Sequence, residues 1–119
     1  MDIESLTSYC LGKKCVTHSF PFGGDTLVFK VAGKMFALSG INEIPCKANL
    51  KCDPEWTVEL RDLYEDITPG YHMNKTHWNT VNLEGSLNEA FIRELIDHSY
   101  NLVVSSLSRK DRIIFEAAY

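Results

Sequence analysis

Residues 26–39, TLVFKVAGKMFALS, decide the fold. Leu27, Phe29 and Val31 alternate with Val28 and Lys30, and Ala32-Gly33 then turns the chain into a second run, Lys34 to Ser39. A two-residue connection can join only antiparallel strands, because a parallel pair needs a crossover of a dozen or more residues. The period of two places Leu27, Phe29 and Val31 on one face and Val28 and Lys30 on the other.

The same pattern extends outward from this hairpin. Thr17 to Phe20 reads as a short strand before it. After it, residues 45–52 alternate Cys46, Ala48, Leu50 and Cys52 with Lys47, Asn49 and Lys51, the signature of a half-buried strand with small thiols toward the core. Helical signals flank these strands. Asp2 caps a helix over residues 2–12 that stops at Gly12, with Ile3, Leu6 and Cys10 on one face. Asp53-Pro54-Glu55-Trp56 starts a second helix, which ends near Tyr64. Ser86-Leu-Asn-Glu89 has the form of a capping box opening the longest helix, whose apolar stripe runs through Leu87, Phe91, Ile92, Leu95, Ile96, Tyr100, Val103 and Leu107. A second box, Ser108 to Asp111, opens a terminal helix. The order predicts an α+β domain over residues 1–119, with an antiparallel sheet packed against helices on one face and partly open on the other.

The chain has 119 residues, 45% of them hydrophobic and 24% charged, and a formal net charge of −4. No run reaches the roughly 20 apolar residues that span a bilayer, so no membrane role is expected. The N-terminus lacks the charged and apolar regions of a secretory signal, which makes the cytoplasm the expected compartment. The four cysteines, at 10, 15, 46 and 52, have neither the pairwise spacing of common zinc sites nor a compartment that favours disulfides, so no metal or cofactor is expected. The negative net charge excludes a surface that grips phosphate all round. Charge is uneven, however: residues 53–66 hold six acids against one arginine, whereas residues 67–83 hold no acid, one lysine and two histidines. Any nucleic-acid contact must therefore use a local basic strip.

Residues 69–83 carry the densest chemistry and admit two geometries. In a hairpin with Met73-Asn74-Lys75-Thr76 as its loop, His72 and His77 would be opposed with Cβ atoms about 4.5–5.5 Å apart, and Tyr71 would pair with Trp78 on the other face. Such a pair offers two metal ligands but no third. If Asn74 instead caps a short helical turn, the histidines separate. In either geometry Tyr71 and Trp78 can close the edge of the core while the His and Asn groups bond the turn. No nucleophile elbow, phosphate-cradling glycine loop or H-E-x-x-H pair is present, so catalysis is not expected.

Four strings, FPFGGDTLVFKVAGKMFAL at 20–38, NLKCDPE at 49–55, PGYHMNKTHWNTV at 69–81 and LIDHSYNLVV at 95–104, resemble the MmcQ/YjbR family along nearly the whole chain. That resemblance implies a small bacterial cytoplasmic protein with a CyaY-like (frataxin-like) α+β fold, and a DNA-binding role through projecting wings. Carried onto this chain, the wings are the 69–83 segment and the Ala32-Gly33-Lys34 hairpin. The DNA contacts it suggests are His72, Asn74, Lys75, His77, Trp78 and Asn79, with Lys30, Lys34, Lys47 and Lys51 widening the strip and Arg109, Lys110 and Arg112 forming a separate cluster. The alternative is a protein-interaction module built on Tyr71 and Trp78, since aromatics dominate binding hot spots. Frataxins carry an acid-rich first helix, whereas Asp2 and Glu4 are the only acids here, so an iron site is not expected. A monomer is the expected state.

Overall fold

The computed structural model describes residues 1–118. Its elements follow in the order α1 (Ile3–Leu11), β1 (Val16–Ser19), β2 (Thr26–Val31), β3 (Lys34–Gly40), β4 (Lys47–Lys51), α2 (Pro54–Leu63), β5 (Ile67–Pro69), β6 (Trp78–Asn82), α3 (Glu89–Ser105) and α4 (Arg109–Ala117). The six strands form one sheet in the order β1-β2-β3-β4-β6-β5, and each neighbouring pair is antiparallel. The α+β fold expected from the hairpin is the fold observed.

Strand register assigns the two faces, because residues paired across antiparallel strands project to the same side. One row runs through all six strands: Ser19, Val28, Leu38, Asn49, Thr80 and Thr68. The adjacent row, His18, Phe29, Ala37, Leu50, Asn79 and Pro69, faces the other way. The helices cover this second face. Leu6 and Cys10 of α1, Leu60 of α2 and Ile92, Leu95, Ile96 and Val103 of α3 join Leu27, Phe29, Val31, Leu50 and Val81 in one core. An irregularity in the β2–β3 ladder next to Phe29 and Lys30 lets both Phe36 and Ala37 enter that core, where the Phe36 ring meets Tyr100 edge-on at 5.4 Å.

Polar locks fix the helices on the sheet. The hydroxyl of Ser99 on α3 donates to the Phe36 carbonyl and accepts from Lys51 N–H at 2.8 Å, bridging β3 and β4 where their direct pairing ends. Between α2 and α3, His98 Nε2 accepts from Asp53 N–H at 3.0 Å and its ring lies edge-on to Trp56 at 4.7 Å. Tyr9 of α1 donates to Asp97 of α3 at 2.6 Å.

The caps are as the sequence indicates at Asp2, Asp53 and Ser108, each of whose side chains accepts from N–H groups of its helix. The longest helix is a correction. Its cap is Asn88, whose Oδ1 accepts from Phe91 N–H at 2.8 Å, and not Ser86. The Ser86 N–H and hydroxyl both donate instead to Asp66 at 2.7 and 2.8 Å, which ties the turn before α3 to the one before β5. Cys46 and Cys52 are buried as the alternation indicates, and burial pushes both thiols up. Burial raises Cys10 to about 12, so these three sulfurs behave as small apolar groups rather than nucleophiles.

Candidate binding cleft on the open sheet face

The face away from the helices carries the candidate site. Val28 and Leu38 project there yet are 0% and 5% exposed, so connecting segments must cover them. One cover is the connection from β5 to β6. Pro69 is the last β5 residue to pair with β6, opposite Asn79, and residues 70–77 then fold back over β6 and β4. Tyr71 N–H donates to Thr80 Oγ1 at 3.0 Å, the Thr80 hydroxyl donates to Asn49 Oδ1, and Asn49 Nδ2 reaches the Tyr71 carbonyl at 3.4 Å.

The loop's interior is a helical turn. Asn74 O accepts from His77 N–H and Trp78 N–H at 3.3 and 3.0 Å, and its Oδ1 accepts from Thr76 N–H at 2.9 Å. Of the two geometries the sequence allows, the Asn74-capped turn is therefore the one present. The four-residue hairpin is corrected, and His72 and His77 are not strand partners. His72 has a left-handed backbone (φ 59°) and its ring lies against Tyr71, centroids 4.0 Å apart, so Tyr71 pairs with His72 rather than with Trp78. Tyr71 is 69% exposed and closes no core edge.

Arg61 anchors this loop from behind. Its Nε donates to Asn79 Oδ1 at 2.8 Å, and its Nη2 donates to the carbonyls of Trp78, at 3.1 Å, and Lys75. Asn79 Nδ2 donates in turn to Thr57 of α2 at 3.3 Å. Sequence reading missed Arg61; its only signal was being the single base in the acid run of residues 53–66. Asn79 is a second correction. It is 2% exposed and faces the core, because it alternates with Thr80 on β6, so it holds Arg61 and cannot contact DNA. Lys75 is exposed, but its ammonium donates to the Gly70 carbonyl at 2.9 Å and serves the loop.

The folded-back loop walls a cleft of about 760 Å³ on the open face. Leu38, Asn49 and Thr80 contribute its floor, Tyr71, His72 and Met73 one wall, and Phe22, Thr26, Glu43 and Lys47 enter from the β2–β4 side. The volume lies within the roughly 300–1,000 Å³ of small-ligand sites. Phe22, 65% exposed, and Glu43 were also missed, since each lies in a connection whose position only the closed sheet determines.

The lysines divide by register. Lys30 shares the face of Val28, and Lys47 and Lys51 share that of Asn49, so these three belong to the open face. Lys51 is paired with Trp78, which places that half-buried indole on the same face. Lys34 is corrected: it pairs with Val31 at the hairpin end and so takes the helix-side parity. Glu55, Glu59 and Asp62 lie on α2, within the helical layer, and do not interrupt the three lysines. His72, Asn74 and His77 are exposed on the loop. Arg112 on α4 is engaged by the carbonyls of Val104 and Ser105 at 3.0 and 3.1 Å. Among the described residues, no group of three or more His, Cys, Asp or Glu is arranged to hold a metal ion, and no helix is long and apolar enough to cross a membrane.

The YjbR family model matches residues 11–102. The chain belongs to the YjbR family. This YjbR-family chain is 44% identical over 94 residues to the uncharacterized protein YbdF of Escherichia coli O157:H7, covering 78% of the chain and 76% of the relative. It is 35% identical over 112 residues to the uncharacterized protein YjbR of Escherichia coli K12, covering 94% and 95%. Among solved structures it is similar to Deinococcus radiodurans protein DR2400, with a TM-score of 0.91, 37% identity and coverage of 97% of this chain and 88% of that one. A Pseudomonas syringae protein aligns with a TM-score of 0.75 at 33% identity, covering 86% and 98%. These likenesses give the family and the fold, and leave the chemistry of the YjbR cleft to be argued from its residues.

Proposed function

We propose that this YjbR-family chain is a cytoplasmic, non-enzymatic protein that binds nucleic acid along the open face of its sheet. One observation carries the reading: strand register brings Lys30, Lys47 and Lys51 onto the face that also bears the cleft, while the acids of α2 lie in the opposite layer. Lys30 on β2 and Lys51 on β4 are two strand spacings apart, about 10 Å, within reach of successive phosphates once their side chains extend. The described residues contain two ion pairs, Lys13–Asp97 and Arg93–Glu89, and none of the three open-face lysines takes part in either. A binding role also suits the site's chemistry, since its histidines are solvated and Cys10, Cys46 and Cys52 are buried. Replacing Lys51 or Lys30 by Gln should weaken oligonucleotide binding several-fold, whereas Arg109→Gln on α4 should not; equal effects at all three positions would defeat the assignment to this face.

A second reading has its own support. Phe22, Tyr71 and the 93%-exposed Ile44 are large apolar groups left in solvent by connections of this chain. They suit a protein partner, for which Tyr71→Ala would abolish capture while the lysine changes would not.

A further inference from the structure

The cleft has features that a row of lysines does not need. Contact with a phosphate backbone needs only reachable cations, whereas here aromatic and apolar groups line a concavity whose polar edge carries both signs. Tyr71 and His72 present paired rings from the β5–β6 loop, and Phe22 adds a third from the connection before β2. Leu38 supplies an apolar floor. Asn49, Thr80 and Ser39 each already hold hydrogen bonds within the fold, with Tyr71, with one another and with the Lys47 carbonyl. The charged groups on the cleft's edge are the Glu43 carboxylate, an acceptor, and the Lys47 ammonium, a donor.

From this we infer that the cleft takes one unstacked nucleobase, held by Tyr71, His72 and Phe22 against Leu38, with its amino or imino N–H groups donating to Glu43 and its ring or carbonyl acceptors facing Lys47. The inference rests on the nucleic-acid reading for the source of the base. It adds that the preferred ligand is single-stranded, because a base inside a duplex cannot enter a concavity. A carboxylate beside the site disfavours phosphate there but favours a donor edge, which a neutral base supplies. A flat aromatic patch alone would stack any ring without needing Glu43.

The test uses the intact chain and fluorescence anisotropy with three labelled probes, a single-stranded deoxyoligonucleotide, the same strand with abasic sites, and its duplex, and calorimetric titration with nucleoside monophosphates. Expected is tightest binding of the base-bearing single strand. Tyr71→Ala and Phe22→Ala should weaken it about 5- to 100-fold while leaving the abasic strand unchanged. Both side chains are largely solvated, so folding should survive; unchanged far-UV circular dichroism verifies this, and Ile113→Ala on α4 serves as control. Glu43→Gln should alter the preference among the four bases. Abasic and intact strands binding alike, with Tyr71→Ala silent, overturns the base site and leaves the lysine face standing. No strand binding at low salt, together with no saturable monophosphate binding, overturns both. Saturable monophosphate binding lost in Tyr71→Ala, without strand binding, upholds the base site and removes the strand as its source.

Discussion

Arg61→Ala should destabilise the chain by several times the effect of an ordinary surface change, and the bonds Arg61 makes give the size. The guanidinium makes three hydrogen bonds, to Asn79 Oδ1 and to the carbonyls of Trp78 and Lys75. Losing it leaves Asn79 Oδ1 as a buried acceptor without its donor, worth about 1–3 kcal/mol. The two loop carbonyls can be rehydrated, so each adds only about 0.5–1 kcal/mol. The total, about 2–5 kcal/mol, corresponds to a Tm lower by roughly 8–20 °C for a domain of this size. Arg61→Lys should recover only part of this, because an ammonium cannot fork to three acceptors. The assay is thermal and urea unfolding of Arg61→Ala, Asn79→Leu and the double variant. Removing both partners should cost clearly less than the sum of the single losses. A Tm for Arg61→Ala within about 2 °C of the parent, or strictly additive losses, would refute the view that this residue holds the loop.

Other outcomes follow from neighbouring contacts. Ser99→Ala removes the hydroxyl bridging Phe36 O and Lys51 N–H and should destabilise by about 1–3 kcal/mol, measured by urea unfolding; a loss below about 0.5 would show the bridge to be idle. Gly70→Ala would set a Cβ 2.9 Å from both the Trp78 Cβ and its carbonyl oxygen, so the loop should shift, seen as amide chemical-shift changes through residues 70–78; an unperturbed loop would contradict the packing. His98 is held below its ordinary value of 6.5 by burial, against the opposing pull of Asp53 and Glu94, and its Nε2 is an acceptor. The unfolded chain therefore takes up this proton first as pH falls, so the contribution is complete above 6.5 and lost below it. The urea midpoint should drop as pH falls through 6.5, and His98→Gln should flatten that segment; an equal slope in the variant would reject the assignment.

How far the sequence reached depended on whether a signal was local. The hairpin, the Cys46–Cys52 alternation and the Asp53-Pro54 helix start are set by neighbouring residues, and they were legible. Asn79 was legible in principle, because it alternates with Trp78 and Thr80 on β6, but an amide beside an exposed loop reads as a contact until its Arg61 partner is known. Ser86 fits a capping box locally, and only Asp66, distant in sequence, diverts it. The cleft was illegible because it requires β6 to insert between β4 and β5 and the 70–77 loop to fold back onto Asn49, pairings that no local period encodes.

The most direct measurement is the salt dependence of single-stranded oligonucleotide binding by the parent chain and by the Lys30→Gln, Lys51→Gln double variant. Two phosphate contacts predict a slope of log K against log salt of about −1.4, hence roughly 7-fold weaker binding at 200 mM than at 50 mM, with the slope approaching zero in the double variant. No binding by the parent at low salt, or the same slope in both proteins, would contradict the open-face account.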